Sequence, residues 1–186
     1  MTSELVKWNQ LDGTTTQGIL YKPENFDPHK KYPVIVHYYE QMSHRLYEYP
    51  SPGFSDGEPN IAWFVSRGYL VLTPDIYYIN GIVGKSAENT VVSAAQYLAG
   101  LPYVDSKRMA IAGHSYAGHE TNYLLTHTDL FAAALSSAGC SDAVSQYLSL
   151  SLNGSSSYFM GDIESRMGVS PSGRTRRGIS TNLLFF

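Results

Sequence analysis

The one stretch whose residue types and spacing could do covalent chemistry is Gly113-His114-Ser115-Tyr116-Ala117-Gly118. A sharp, strained turn from strand into helix lifts a serine hydroxyl above the carboxyl edge of a sheet, where it can attack a carbonyl. Small residues two before and two after the serine let that turn form, and Gly113 and Ala117 fill those places. Glycine is usual at the fifth position of this pattern; here alanine stands there, with Gly118 after it. The following helix adds a positive end, which makes the Tyr116 amide a candidate donor to an oxyanion. The competing reading is a glycine-rich turn that merely links two elements, and the strand and helix on either side favour the nucleophile.

Those flanking elements are legible in the residue pattern. Arg108 to Ala112 reads as a short strand, Ala117 to Thr126 as a helix, and Leu130 to Ser137 as a further apolar strand. Upstream, Asp12-Gly13 marks a turn and Thr16 to Tyr21 alternates as a strand with one wet face does. Pro33 to Tyr39 and Tyr69 to Thr73 are continuous apolar and aromatic runs, the mark of strands buried on both faces. Ile61 to Ser66 has helical spacing with Gly68 as its stop. A longer helix opens near Ser86 as cap, carries Val91, Val92, Ala95, Leu98 and Ala99 on one face, and ends at Gly100 and Pro102. Residues 40–60 form a long irregular stretch, a length that inside a compact domain marks a functional or a disordered segment. Ser141 to Ser157 is serine-rich and reads as loop with one helical turn near Val144 to Leu148. Strands alternating with helices predict an α/β domain with a mainly parallel sheet and helices on both faces.

Composition narrows the chemistry further. The 186 residues are 43% apolar with net charge −3, enough apolar surface for one globular core. No basic stripe favours nucleic acid, and no apolar run reaches the roughly 18 residues of a membrane span. No secretion signal opens the chain. A single cysteine, Cys140, excludes an internal disulfide, and zinc-finger spacing is missing. No cofactor and no metal is implied.

Gly113 to Ala134 closely resembles the catalytic domain of the prolyl oligopeptidase (S9) family of serine peptidases. Gln17 to Pro28, Lys31 to Tyr39 and Val65 to Asp75 agree with that family in order and spacing. The resemblance spans about residues 4–170 and implies an α/β-hydrolase fold, a Ser-His-Asp mechanism and a peptide substrate. It makes Ser115 the nucleophile, Tyr116 the amide donor of the oxyanion hole, and Tyr39 the tyrosine whose hydroxyl supplies the second donor. With 15 tyrosines in the chain, Tyr38 stands as the adjacent alternative and packing as the bland role for either. An esterase or other acyl hydrolase on the same fold is the alternative activity.

In this fold the acid and then the histidine follow the serine. Downstream of Ser115 the only histidines are His119 and His127, both close enough in sequence to belong to the helix that leaves the turn. Helix-surface or packing roles suit them, and His114 points elsewhere on the turn. Asp129, Asp142 and Asp162 do not match the family's acid. The expectation is a C-terminally truncated, poorly active or catalytically dead piece of a longer peptidase, lacking the β-propeller that precedes this domain in relatives. Beyond Glu164 there is no acid but four arginines, so residues 171–186 read as an atypical tail after a partial catalytic domain over 1–170. With suitably chosen codons, a neighbouring frame of Gly173 to Phe186 reads W-E-N-P-E-G-Y-I-D-E-S-P-F-F, which is family-like. A frameshift is therefore expected, and the coding DNA tests it. Complete relatives of such a family are often periplasmic or secreted and otherwise cytoplasmic, which leaves the localisation open.

Overall fold

The computed structural model describes residues 1–142 together with Gln146 and Arg166. Fully described elements are six strands and three α-helices: β1 (Thr2–Asn9), β2 (Thr15–Lys22), β3 (Tyr32–Tyr38), α1 (Ile61–Ser66), β4 (Leu70–Pro74), α2 (Val83–Ala99), β5 (Val104–His114), α3 (Tyr116–Leu125) and β6 (Ala133–Ser137). They build one sheet in the order β1-β2-β4-β3-β5-β6. β1, β2 and β4 pair antiparallel, while β4, β3, β5 and β6 run parallel.

The continuous apolar runs follow from helices covering both faces. Along β3, Val34, Val36 and Tyr38 pack on the side of α2 and α3, with Val91, Ala94, Leu98 and Leu124. Ile35 points the other way, to Val65 of α1 and to Val71 and Ile19. Period-two alternation thus serves two cores at once along β3 and β4, while β5 exposes Ser106 to Arg108 before its buried half begins. Among the described residues no helix is long and apolar enough to cross a membrane.

Several sequence expectations need correction. β1 was not anticipated, because an edge strand buries only Val6 and Trp8 and the rest of its pattern is polar. It joins β2 through the Asp12-Gly13 turn, where Gly13 takes φ +85°, and Trp8 Nε1 donates to Ser93 Oγ of α2 at 3.0 Å. Ser86 is not the cap of α2, which starts three residues earlier at Val83. Its hydroxyl instead accepts from Ile79 N at 3.1 Å and donates to Ile82 O at 3.1 Å, tying the preceding turn to the helix. β5 begins at Val104 rather than Arg108, and β6 is confined to Ala133–Ser137. Gln146 is helical, with its N–H on Asp142 O at 3.0 Å. The rest of the turn expected near Val144 to Leu148, and residues 171–186, lie outside the described residues.

Close approach sets where glycine is required. A Cβ on Gly113 would lie 2.1 Å from Ala117 O, whereas one on Gly13 would meet nothing within 4 Å and only the positive φ would object. Gly113→Ala is expected to destabilise the chain by about 3 kcal/mol and Gly13→Ala by about 1 kcal/mol, read from urea unfolding midpoints. Equal costs at the two positions would refute this account of the turn.

Candidate active site

Ser115 sits between the last residue of β5 and the first of α3 with φ 57° and ψ −117°. A non-glycine residue in that region carries strain of order 1–3 kcal/mol, so its surroundings must hold it there. They do so through backbone groups: Ser115 N donates to Ser137 O at 2.8 Å, and His119 N donates to Ser115 O at 3.2 Å. The second tight contact lies at Gly118, whose absent Cβ would fall 2.7 Å from Ser137 O and 2.8 Å from Gly139 Cα. That explains the departure at position 117. Ala117 is buried without such a conflict, and the need for glycine falls on its neighbour. Gly139, which the sequence reading passed over, is the other half of this approach, with Ala138 before it at φ 48°.

Tyr116 opens α3, so its backbone N–H stands in the first turn, at the positive end of the helix. Its ring is fixed from several sides. The Arg166 guanidinium lies 4.1 Å from the ring centroid, and the Tyr78 ring meets it edge-on at 6.3 Å.

The two tyrosines that end β3 part company. Tyr38 is fully buried, its hydroxyl 2.7 Å from Thr121 Oγ1. Thr121 spends its own proton on Ala117 O at 2.8 Å, so Tyr38 is the donor to it. Burial pushes the Tyr38 phenol far above its ordinary range. Tyr39 is 37% exposed and, with Ser115, Glu40, His44, Arg45 and Glu58, lines a cavity of about 510 Å³. Of the two candidates for a second oxyanion donor, Tyr39 therefore shares a cavity with Ser115 and Tyr38 does not.

The loop that follows Tyr39 hangs on Asp75, which sequence reasoning missed. Its carboxylate accepts from Met42 N and Ser43 N at 2.7 Å each, from Ser43 Oγ at 2.5 Å and from Gln17 Nε2 at 3.3 Å. Ile76 N adds a bond to Glu40 O at 3.1 Å. The only signal in the sequence was an acidic residue directly after a strand-ending proline.

The irregular stretch returns to the site at Gly57 and Glu58. Gly57, at φ +75°, packs against the His114 ring, where a Cβ would lie 2.6 Å from Nδ1. Glu58 reaches buried His37 at 3.5 Å, and that hydrogen bond holds its carboxyl below the usual range despite opposing burial. His37 Nδ1 lies 3.2 Å from Ala112 O.

The three histidines closest to the serine in sequence are each held by other partners. His119 is buried and donates Nδ1–H to Cys140 O at 2.8 Å, and burial depresses its pKa. His127 donates to Tyr123 O at 2.8 Å and stacks on the Tyr123 ring at 3.8 Å. His114 Nδ1 pairs with Ser137 Oγ at 3.1 Å. Asp129 and Asp142 are exposed, and Asp162 lies outside the described residues.

A serine on a strained strand-to-helix turn, over a sheet of order 1-2-4-3-5-6 whose last four strands run parallel, defines an α/β-hydrolase. Solved structures agree on the fold. Prolyl oligopeptidase B from Galerina marginata superposes with TM-score 0.70 at 18% identity, over 97% of this chain and 26% of that one. The acylaminoacyl peptidase of Pyrococcus horikoshii gives 0.66 at 21% identity, over 100% and 30%. The sequence model of the prolyl oligopeptidase family matches residues 55–166, and the chain belongs to that family. Probable dipeptidyl-aminopeptidase B of Emericella nidulans is 32% identical over 127 residues, 60% of this chain and 13% of that relative. The protein of the same name from Grosmannia clavigera is 33% identical over 117 residues, 54% and 11% respectively. The chain thus spans about an eighth of the length of these curated relatives.

Removing the Asp75 carboxylate would strand buried donors. Asp75→Ala is expected to cost about 3 kcal/mol and to speed amide hydrogen exchange at Met42 and Ser43 selectively. Unchanged exchange at those two amides would show that the loop is held by something else.

Proposed function

We propose that the chain carries the nucleophile and oxyanion hole of a serine-type peptidase of the prolyl oligopeptidase and dipeptidyl peptidase type. In this reading the Ser115 hydroxyl attacks a substrate peptide carbonyl. Its oxygen becomes an oxyanion between the Tyr116 N–H and the Tyr39 hydroxyl, and collapse expels the amine to leave an acyl-enzyme that water then hydrolyses. The observation that carries it is Ser115 at positive φ on the rim of the cavity that Tyr39 also lines. Family membership and relatives named as dipeptidyl-aminopeptidases support a peptide substrate over a simple ester.

Proton transfer needs a base, and the histidines around the turn are held by Cys140, Tyr123 and Ser137. The 186 residues alone are therefore expected to hydrolyse dipeptide amides at near-background rate, since losing a triad member costs roughly 10⁴-fold or more. Strong fluorophosphonate labelling of this chain at Ser115, lost in Ser115→Ala, would overturn that.

The complete gene product is the proper subject for the activity itself. Dipeptide amides are expected to be cleaved in preference to short-chain esters, with Ser115→Ala falling to background and Tyr39→Phe lowering kcat about 10²-fold. Preference for esters would favour the acyl-hydrolase alternative, and full activity in Ser115→Ala would end the nucleophile assignment.

A further inference from the structure

Behind the candidate site lies a carboxyl group that the reaction does not use. Glu120, on α3 five residues after Ser115, is fully buried, and neither of its carboxyl oxygens has a hydrogen-bond partner in the structure. A buried carboxylate left this way is costly, whereas the neutral acid needs only one acceptor. Tyr78 lies near enough that its hydroxyl and this carboxyl each shift the other's proton affinity, without the two being aligned as a hydrogen bond. Tyr78 has a single proton, and it donates that proton to Tyr39 O at 2.5 Å. What Tyr78 can still offer Glu120 is a lone pair.

We propose that Glu120 is a positioning residue: its protonated carboxyl donates to Tyr78 Oη, and Tyr78, so oriented, clamps the Tyr39 carbonyl. The relay ties α3, which carries the nucleophile, to the first residue after β3. The two halves of the proposed oxyanion hole are thereby fixed relative to each other. This rests on the reading of Tyr39 as second donor, while the clamp itself is a matter of structure alone.

Among the described residues the groups that face Glu120 are Tyr78 and Arg166, with Glu40 paired to Arg166 at 2.8 Å and Tyr38 on β3. Burial raises the Glu120 pKa well above the ordinary carboxyl range; Tyr78 and Arg166 pull it down and Glu40 adds to the rise. An acid whose folded pKa is raised holds its proton more tightly in the folded state, so stability falls as pH rises above the unfolded value.

The test begins on the 186-residue chain. Infrared difference spectra at neutral pH are expected to show the carbonyl stretch of a buried, protonated carboxylic acid that vanishes in Glu120→Gln and shifts in Tyr78→Phe. Relative to Glu120→Gln, the wild-type folding equilibrium is expected to weaken about tenfold per pH unit above roughly pH 4.3. No such band, a band indifferent to Tyr78→Phe, or a pH-independent difference between wild type and Glu120→Gln would each overturn the clamp. In the complete gene product, Glu120→Leu should lower kcat about tenfold with KM little changed, and Glu120→Gln, which can still donate, should restore most of it. Wild-type kcat in Glu120→Leu would refute the positioning role. If instead Tyr39→Phe leaves kcat unchanged while the infrared and pH results hold, the oxyanion reading fails and the clamp stands.

Discussion

The structure turns on one backbone conformation, the positive φ of Ser115. Holding it requires β5, α3 and β6 to come closer than side chains permit. Gly113 meets the Ala117 carbonyl, Gly118 meets Ser137 and Gly139, and the Ser137 carbonyl takes the Ser115 amide. The two described non-glycine residues at positive φ, Ser115 and Ala138, follow the carboxyl ends of neighbouring parallel strands. Strain of a few kcal/mol at this edge is small beside the burial of the central strands, on the order of 2 kcal/mol for each large apolar side chain. The rigid sheet can therefore hold a turn that a loop could not.

The other half of the site is built on different forces. Tyr39 lies where β3 gives way to irregular backbone, and backbone without ladder partners must find them elsewhere. Asp75 supplies them from the end of the neighbouring strand, gathering two amides and a hydroxyl onto one carboxylate. Charge-assisted bonds of this kind are about twice as strong as neutral ones and fix direction as well as energy. Glu58 and Gly57 close the far side of the same cavity against His37 and His114. The cavity wall is thus made by three separate segments, each fastened by polar contacts to a strand end.

This division explains what could be read from the sequence. The central strands, α1 and the turn at Ser115 were legible because two-sided burial and a strained turn restrict residue type at consecutive positions. Tyr39 could be narrowed only to a pair, since Tyr38 and Tyr39 are chemically identical, and it is strand alternation that sends one to Thr121 and the other to the cavity. β1 was invisible because an edge strand asks for little burial, and Ser86 misled because a hydroxyl inside a helix can serve the turn before it as well as a cap would. Asp75 left only its place after a strand-ending proline, and Glu120 left no pattern at all. The partners of Asp75 lie 32 or more residues away, and the Tyr78 hydroxyl that acts on Glu120 lies 42 away, and no local rule anticipates a contact at that range.

Electrostatic stabilisation of an oxyanion depends on donors that are in place before charge develops. The Tyr116 amide is held by the helix it begins, and Tyr39 by the bonds on its own carbonyl and on the loop beyond it. Neither fixture involves a base. Glycine contacts and backbone bonds hold Ser115, carboxylate bonds hold the loop after Tyr39, and the histidines of the turn are spent on packing. Geometry and activation are thus physically separable in this fold. Ser115 is held at positive φ by glycine contacts and backbone bonds, and the loop after Tyr39 by a carboxylate, so the groups that shape this edge of the sheet are distinct from any that would remove the serine proton.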